Sequence, residues 1–549
     1  MIRFTLEGQT EKLAPHGTFP DTLTRRPLYH QVQTWDAWKT HTAVLNTYNT
    51  GVGKTIASLL PLLDIDAENR PNKQRNVLFI APTNALIAQH TDDIKDFVRE
   101  HNLNFHVFSA RADDIKRVRG GLRPGETLQR YITNYPEFER TEQERRSIVM
   151  VTNPDIFYYA LYFQYGAHDR RNVFKAFLMR FDYLIIDEFH YYDNKQLAAF
   201  LFAFLIFKEW GYFDAGRRVC LLSATPRPNV RRYLEGLFGE QLAEVSPQNE
   251  PETTAEYDTL PALTPLEVTV ITDTLEDWLE NTGADTLRQW LDDDLDGAII
   301  SNSLGRINRA YARLKNRVDS IEMGRITGPE PQEQRSQATA RKLILATPTV
   351  DIGYNFAKHN KSRQNIDFVV CEARFQDDLV QRIGRAGRVL GKDIIDKTSQ
   401  AIVLLPDDAA HEFRALDGQT LNRRDFAEWL NNREHLTSKH ALEAYIRKYA
   451  ALELAYPLYQ LEFMLAGDDR HELDTIYERA CELFGVAYPQ ARWGLKKQFQ
   501  RQERRMAWLR EAESANKHTP PSKTAEHLAD YLAFAHPEVG RVEPNDLSP

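Results

Sequence analysis

From Val77 to Leu405, short apolar runs alternate with longer amphipathic stretches, and no other feature limits the possible folds of this chain as strongly. The runs are Val77–Ile80, Ile148–Val151, Leu184–Ile186, Val219–Leu222, Ala298–Ile300, Leu343–Leu345, Phe368–Cys371 and Ile402–Leu405. Most are apolar on both faces, as strands covered by helices on both sides must be. Strands separated by helical segments need crossovers, which implies parallel sheets with right-handed connections. The expected fold class is therefore α/β. At ~100–200 residues per domain, 549 residues make three or four domains.

The alternation pauses between Gly239 and Pro265, a polar stretch with prolines at 247, 251, 261 and 265. That spacing predicts a linker over 246–265 between a first domain, 1–245, and a second, 266–410. Ala110 to Arg146 is charged and holds Gly120, Gly121, Pro124 and Gly125, so an excursion from the first domain is expected there. After Pro406 the strand pattern fades, and Leu421 to Glu513 is rich in Ala, Leu, Glu, Lys and Arg. A helical C-terminal domain, 411–549, follows from that composition. Within it, Arg492 to Arg510 sets Leu495, Phe499, Met506 and Leu509 on one face and Lys496, Lys497, Arg501, Arg504 and Arg505 on the other. Such a helix either is a solvated surface or lines a single-strand channel.

The longest apolar run, Leu197 to Phe207, is closed by Lys208. It is shorter than the ~20 residues a bilayer requires, so a buried helix is expected and no membrane span. Met1 to Gly8 has no signal-peptide core. Cys220, Cys371 and Cys481 are far apart and odd in number, which excludes a disulfide framework and points to the reducing cytoplasm. A net charge of −9 argues against coating nucleic acid by bulk charge but permits a local basic track.

Three motifs carry chemistry. In Asn49-Thr50-Gly51-Val52-Gly53-Lys54-Thr55 the glycines let backbone N–H groups wrap a polyphosphate, Lys54 reaches the β- and γ-phosphates, and Thr55 holds Mg²⁺. Tyr48 stands where this signature usually has a small residue. Asp187-Glu188-Phe189-His190 follows the strand Tyr183 to Ile186. There Asp187 is placed to hold Mg²⁺ and Glu188 to orient the attacking water. In Gln381-Arg382-Ile383-Gly384-Arg385-Ala386-Gly387-Arg388, arginines recur every three residues. They can offer delocalised positive charge to a transferring phosphoryl group from the second domain.

In their order along Tyr29 to Arg388 these motifs resemble those of superfamily 2 helicases, which implies two tandem RecA-like domains that use ATP and Mg²⁺. Arg26-Pro27-Leu28-Tyr29-His30-Gln31 resembles the Q motif, with Gln31 as its adenine-reading glutamine. Ala81-Pro82-Thr83-Asn84 and Thr152-Asn153-Pro154-Asp155 resemble motifs Ia and Ib, which touch the nucleic-acid backbone. Ser223-Ala224-Thr225 matches motif III, and with His190 it is given a coupling role between hydrolysis and movement. Ser301-Asn302 resembles motif IV, and Ala346-Thr347 with Asp351 and Gly353 resembles motif V. That implies strand contacts at Pro82, Thr83, Thr152, Asn153, Ser301, Asn302 and Thr347 and a nucleotide contact at Gly353; the family often has an acid where Asn355 stands. Gln381, Arg385 and Arg388 match the motif VI residues that face the γ-phosphate.

The Asp-Glu-Phe-His form, the Ser-Ala-Thr-Pro run at 223–226, the Gln381–Arg388 form and the helical C-terminal part further resemble the effector helicases of type I CRISPR systems. Only thirty residues precede Gln31, and the His-Asp pair His168-Asp169 has no companion His ligands. The expectation is a helicase-only member, as in type I-D systems. The resemblance implies a single-stranded DNA motor moving 3′ to 5′ and partnered by a Cascade-type effector complex whose large subunit bears the nuclease. A restriction-type translocase, a DEAH-like RNA helicase and a non-hydrolysing scaffold are the rival readings.

Overall fold

The computed structural model describes residues 1–485 and 504, except 22, 50, 69–74, 119–120, 139–146, 162–175, 178, 225–227, 252–256, 319–321, 329, 351–355, 357–360, 432, 434, 437–441, 443–445 and 447–468. Two sheets dominate. The first has seven strands, in the order Phe105–Ala110, Ser147–Thr152, Asn76–Ile80, Phe181–Ile186, Arg218–Leu222, Ala43–Asn46 and Leu242–Val245, all parallel. The second has eight, in the order Met323–Ile326, Leu343–Ala346, Gly297–Ile300, Phe368–Glu372, Ser399–Leu404, Leu266–Ile271, Ile2–Leu6 and Thr420–Leu421. Every apolar run read from the sequence falls on one of these strands, Leu405 alone lying past the end of its own, and the two sheets, parallel except at Ile2–Leu6, are those of tandem RecA-like domains.

Two-sided burial explains the runs. Successive side chains of a strand point to opposite faces. Thus Ala298, Ile300, Ile344 and Ala346 enter one core of the second sheet, while Ile299, Leu343 and Leu345 enter the other. Asn76–Ile80 is buried at all five positions, with Val77 and Phe79 packed against Leu86, Ile87 and Ile94 of the helix Asn84–Glu100.

The boundaries drawn from the sequence need four corrections. The N-terminal strand Ile2–Leu6 runs antiparallel to Leu266–Ile271, so it belongs to the second sheet and not to a first domain beginning at residue 1. Phe4 and Leu6 bury there beside Val268 and Val270 because the segment alternates apolar and polar residues. The 110–146 stretch is no excursion. Its described part forms the helices Ala112–Val118 and Pro124–Phe138, which connect two neighbouring parallel strands. The 246–265 stretch holds a strand, Thr259–Leu263, paired antiparallel with Gln9–Lys12. Finally, the second domain continues past 410, since Thr420–Leu421 extends its sheet and Phe426 and Leu430 of the helix Arg423–Asn431 pack into the core with Phe4.

By contact density the chain forms two units, 1–197 with 210–442, and 198–209 with 443–549. Both sheets lie in the first. Asn194–Glu209 is the apolar helix expected around Leu197 to Phe207, and those eleven residues are buried. In the second unit the helix Asp469–Phe484 is described; the basic stretch Arg492–Arg510, apart from Arg504, lies outside the described residues. No described helix is long and apolar enough to cross a membrane.

Candidate active site

Parallel strands deliver their following loops to one edge of a sheet. In the first sheet that edge gathers the 47–53 loop, Thr83, Asn153, Asp187 and Ser223, each just after its strand. The strand leading to Asp187 and the strand leading to the loop flank Arg218–Leu222, so the acid and the loop lie two strands apart.

The loop has the shape a polyphosphate needs. Gly51 and Gly53 take φ of 88° and 81°, a region that costs other residues free energy. A Cβ on Gly53 would lie 2.6 Å from Gln31 Nε2. The helix Lys54–Leu59 starts directly after it. Two side chains of the preceding helix hold the loop: Gln31 Nε2 donates to Gly53 O at 3.0 Å, and His30 Nε2 meets Val52 O at 2.8 Å. Burial drops the His30 pKa to about 4, so the ring is neutral and can donate through one nitrogen. The Gln31 oxygen accepts from Leu28 N at 2.9 Å. Its amide therefore ties the loop, a role different from the adenine contact that the resemblance implies.

Lys54 is buried, and its ammonium donates to Tyr48 O at 2.7 Å. Burial lowers its pKa, opposed by the charges of Glu188 and Asp187. Tyr48 now has a physical account. Its ring stacks on His30 with centroids 4.2 Å apart, and its hydroxyl donates to Glu250, which Lys12 pairs at 3.0 Å. A large residue fits at the loop's entry because these groups, brought up beside the Gln9–Lys12 strand, receive it. Glu11 of that strand is buried, which raises its pKa to about 7.

Asp187 and Glu188 are both buried. Burial works against charge on Asp187, but the bond from His90, at 2.7 Å, and that histidine's charge hold its pKa below the usual carboxylate range. Burial and the neighbouring Asp187 push Glu188 the other way, as a group meant to take a proton from water would need. Glu188 also takes φ of 49°, rare for a residue with a side chain and typical of functional turns. Among the described residues its Oε2 has no hydrogen-bond donor; His190 Nδ1 stands 3.6 Å away.

The second sheet supplies the other side. Arg385 is buried and Arg388 half-buried, just past the end of the helix Gln376–Ile383. A Cβ on Gly51 would lie 3.0 Å from Arg388 Cδ and Nε, so this guanidinium covers the glycine loop. Burial and then Arg385 lower the Arg388 pKa to about 9, and Arg385 acts in turn on the charge of Glu188. Adjacent cations over a glycine loop form a cradle that a polyanion stabilises. Gly387 makes this turn possible at φ 78°, where a Cβ would lie 2.4 Å from Thr264 Oγ1.

His190 joins the sheets. Its Nδ1 accepts from Ala224 N at 3.3 Å, so Nε2 carries the proton. Gln381 Nε2 stands 2.6 Å from that nitrogen, and the pair makes a hydrogen bond once the amide's oxygen and nitrogen are exchanged. Gln381 thus contacts His190, whereas the resemblance aims it at the γ-phosphate. Ser223 is buried beside the loop's own strand, donating its N–H to Asn46 O at 2.9 Å. These residues fit Mg²⁺-ATP: Asp187 and the half-buried Thr55 are the hydroxyl and carboxylate such an ion takes, and Lys54, Arg385 and Arg388 are the cations for the phosphates. Thr50, Thr225 and Gly353 lie outside the described residues.

The expected strand-contact residues divide. Pro82, Thr83, Asn153 and Thr347 are half-buried and Asn302 is exposed. Thr83 and Asn153 accept from Leu86 N and Ile156 N as helix caps. Thr152 and Ser301 are fully buried, their hydroxyls donating to Ala110 O and Glu372, which removes both as side-chain contacts to a strand. Asn302 Oδ1 accepts from Arg382 Nη2 at 2.6 Å. The sequence reading missed His30, His90 and Glu250; His30 adjoins Gln31, but nothing local marks the other two.

Fold and site together define a P-loop ATPase with tandem RecA-like domains. Residues 29–233 match the DEAD/DEAH box helicase family, and that match implies ATP hydrolysis coupled to unwinding. The chain is 24% identical over 421 residues to the ATP-dependent RNA helicase DBP3 of Yarrowia lipolytica, covering 76% of this chain and 68% of that one. It is similar in fold to the DUF1998 helicase MrfA bound to DNA, with a TM-score of 0.60 at 14% identity over 83% of this chain. The same helicase bound to DNA and AMPPNP gives 0.59 over 84%. This chain spans 60% and 59% of those two chains.

Proposed function

We propose that this protein is an ATP-driven motor that moves along single-stranded DNA. The carrying observation is the position of Arg388 over Gly51, with Arg385 acting on Glu188. Cations from the second sheet meet the loop and acid of the first, so ATP contacts both sheets and its loss alters their fit. Asp187 and Thr55 hold Mg²⁺, which draws charge from the γ-phosphate when bound. Glu188 orients water and takes its proton, while Lys54, Arg385 and Arg388 stabilise the transferring phosphoryl group. The edges bearing Pro82, Thr83, Asn153, Asn302 and Thr347 carry the strand, 3′ to 5′ by resemblance. His190 relays between the sheets through Gln381.

By the same resemblance the motor serves type I CRISPR interference, of the I-D form, in the cytoplasm. A Cascade-type complex with a nuclease-bearing large subunit then supplies cleavage. RNA is the second reading, favoured by the RNA helicase relative. ATPase measured with single-stranded DNA and with RNA separates them. Stronger stimulation by DNA supports the proposal; stimulation by RNA alone overturns it, and no ATPase with either favours a scaffold.

A further inference from the structure

Asp187 is held by a histidine that belongs to none of the motifs above. His90 Nε2 lies 2.7 Å from Asp187 Oδ2, with side chains 4% and 5% exposed. The His90 ring rests against Phe79, centroids 4.8 Å apart, and its Nδ1 stands 3.9 Å from Asp93 Oδ2. Phe79 belongs to the first-sheet core, so the imidazole cannot swing away without disturbing that packing. The helix Asn84–Glu100 carries His90, and the 181–186 strand delivers Asp187. Two separate elements therefore converge on one carboxylate oxygen.

A buried imidazole packed against one carboxylate oxygen limits how that carboxylate can turn. We propose that His90 is a positioning residue: its imidazole, in ion-pair contact with Asp187 Oδ2 at 2.7 Å, fixes the carboxylate that would hold the Mg²⁺ of a bound nucleotide. The proposal rests on the ATP-site reading. Partners that orient a metal ligand typically change metal affinity by ~10–100-fold when removed. The expected consequence is on Mg²⁺ recruitment, with little on nucleotide contacts made without metal.

The test uses a fluorescent non-hydrolysable ATP analogue, the full chain, and the variants His90→Leu and His90→Gln. His90→Leu is expected to raise the Mg²⁺ concentration that half-saturates analogue binding by ~10-fold or more. Binding in EDTA should stay within about twofold of wild type. His90→Gln, whose amide N–H can still reach Asp187, is expected to recover most of the Mg²⁺ response. Unchanged Mg²⁺ dependence in His90→Leu overturns the proposal, as does an equal loss with and without Mg²⁺, which marks a purely structural role. If His90→Leu does not fold, His90→Gln decides: a Mg²⁺ midpoint near wild type supports positioning by an N–H donor, and a large shift opposes it. Wild-type binding that ignores Mg²⁺ overturns the ATP-site reading itself, and this proposal with it.

Discussion

The two sheets are built on the same plan, yet they hold their functional groups differently. On the first, the groups other than Glu188 have fixed protein partners: Lys54 on Tyr48 O, Asp187 beside His90, His190 on Ala224 N, the loop on His30 and Gln31. On the second, motif VI splits. Arg382, with no exposed surface, is bound within its own sheet's elements, to Glu372 O and Asn302 Oδ1. Arg385 faces Glu188, and Arg388, whose Nε donates to Gly384 O at 2.9 Å, also lies over the glycine loop. On the proposed reading, the first sheet is set for chemistry in advance and the second responds to nucleotide. Three arginines spaced by three therefore have two different duties.

Substitutions can break this contrast. Lys54→Ala should lower ATP turnover by on the order of 10²-fold or more, read in a steady-state ATPase assay. A comparable loss, ~10³-fold, is expected for Arg388→Ala, with nucleotide affinity falling much less because the arginine acts on the transition state. Arg382→Ala should instead destabilise the fold by about 2–3 kcal/mol, seen in denaturant unfolding, because it leaves buried acceptors without a charged donor. If Arg382→Ala folds as wild type while Arg388→Ala unfolds, the division of duties is wrong. Tyr48→Phe, which removes only the bond to Glu250, should cost about 1 kcal/mol and spare turnover.

Two buried groups near the loop make opposite pH signatures. His30 has a folded pKa of about 4 against 6.5, so below 6.5 the unfolded chain binds the extra proton and stability falls as pH drops from 6.5 towards 4. Glu11 has a folded pKa of about 7 against 4.5, so its contribution is present below 4.5 and is lost as pH rises to 7. Glu11→Gln should flatten the upper branch alone, measurable as unfolding free energy against pH.

Interior strands covered on both faces were legible because that forces runs such as Val77-Leu78-Phe79-Ile80 to be apolar throughout, whereas interior Leu266–Ile271, buried on alternate residues only, was not read. Edge strands have one neighbour and weaker patterns, so Phe105–Ala110 and Met323–Ile326 escaped. Ile2–Leu6 alternates visibly, but its partner lies more than 260 residues on, and no local signal names it. The site divides in the same way. Gly53, Lys54, Asp187 and Arg388 were readable because phosphate and metal chemistry demand those residue types in sequence. His90 and Glu250 act through space, and Thr152 and Ser301 misled because short polar residues at strand ends can face inward as easily as out.

The central claim is that cations of the second sheet complete an ATP site on the first. The most direct measurement is single-turnover ATP hydrolysis with saturating single-stranded DNA, in wild type and in Arg385→Ala/Arg388→Ala, with analogue binding as the control. The account predicts that the double variant still binds nucleotide but hydrolyses it ~10³-fold more slowly and gains nothing from DNA. Hydrolysis at the wild-type rate, still stimulated by DNA, would contradict it.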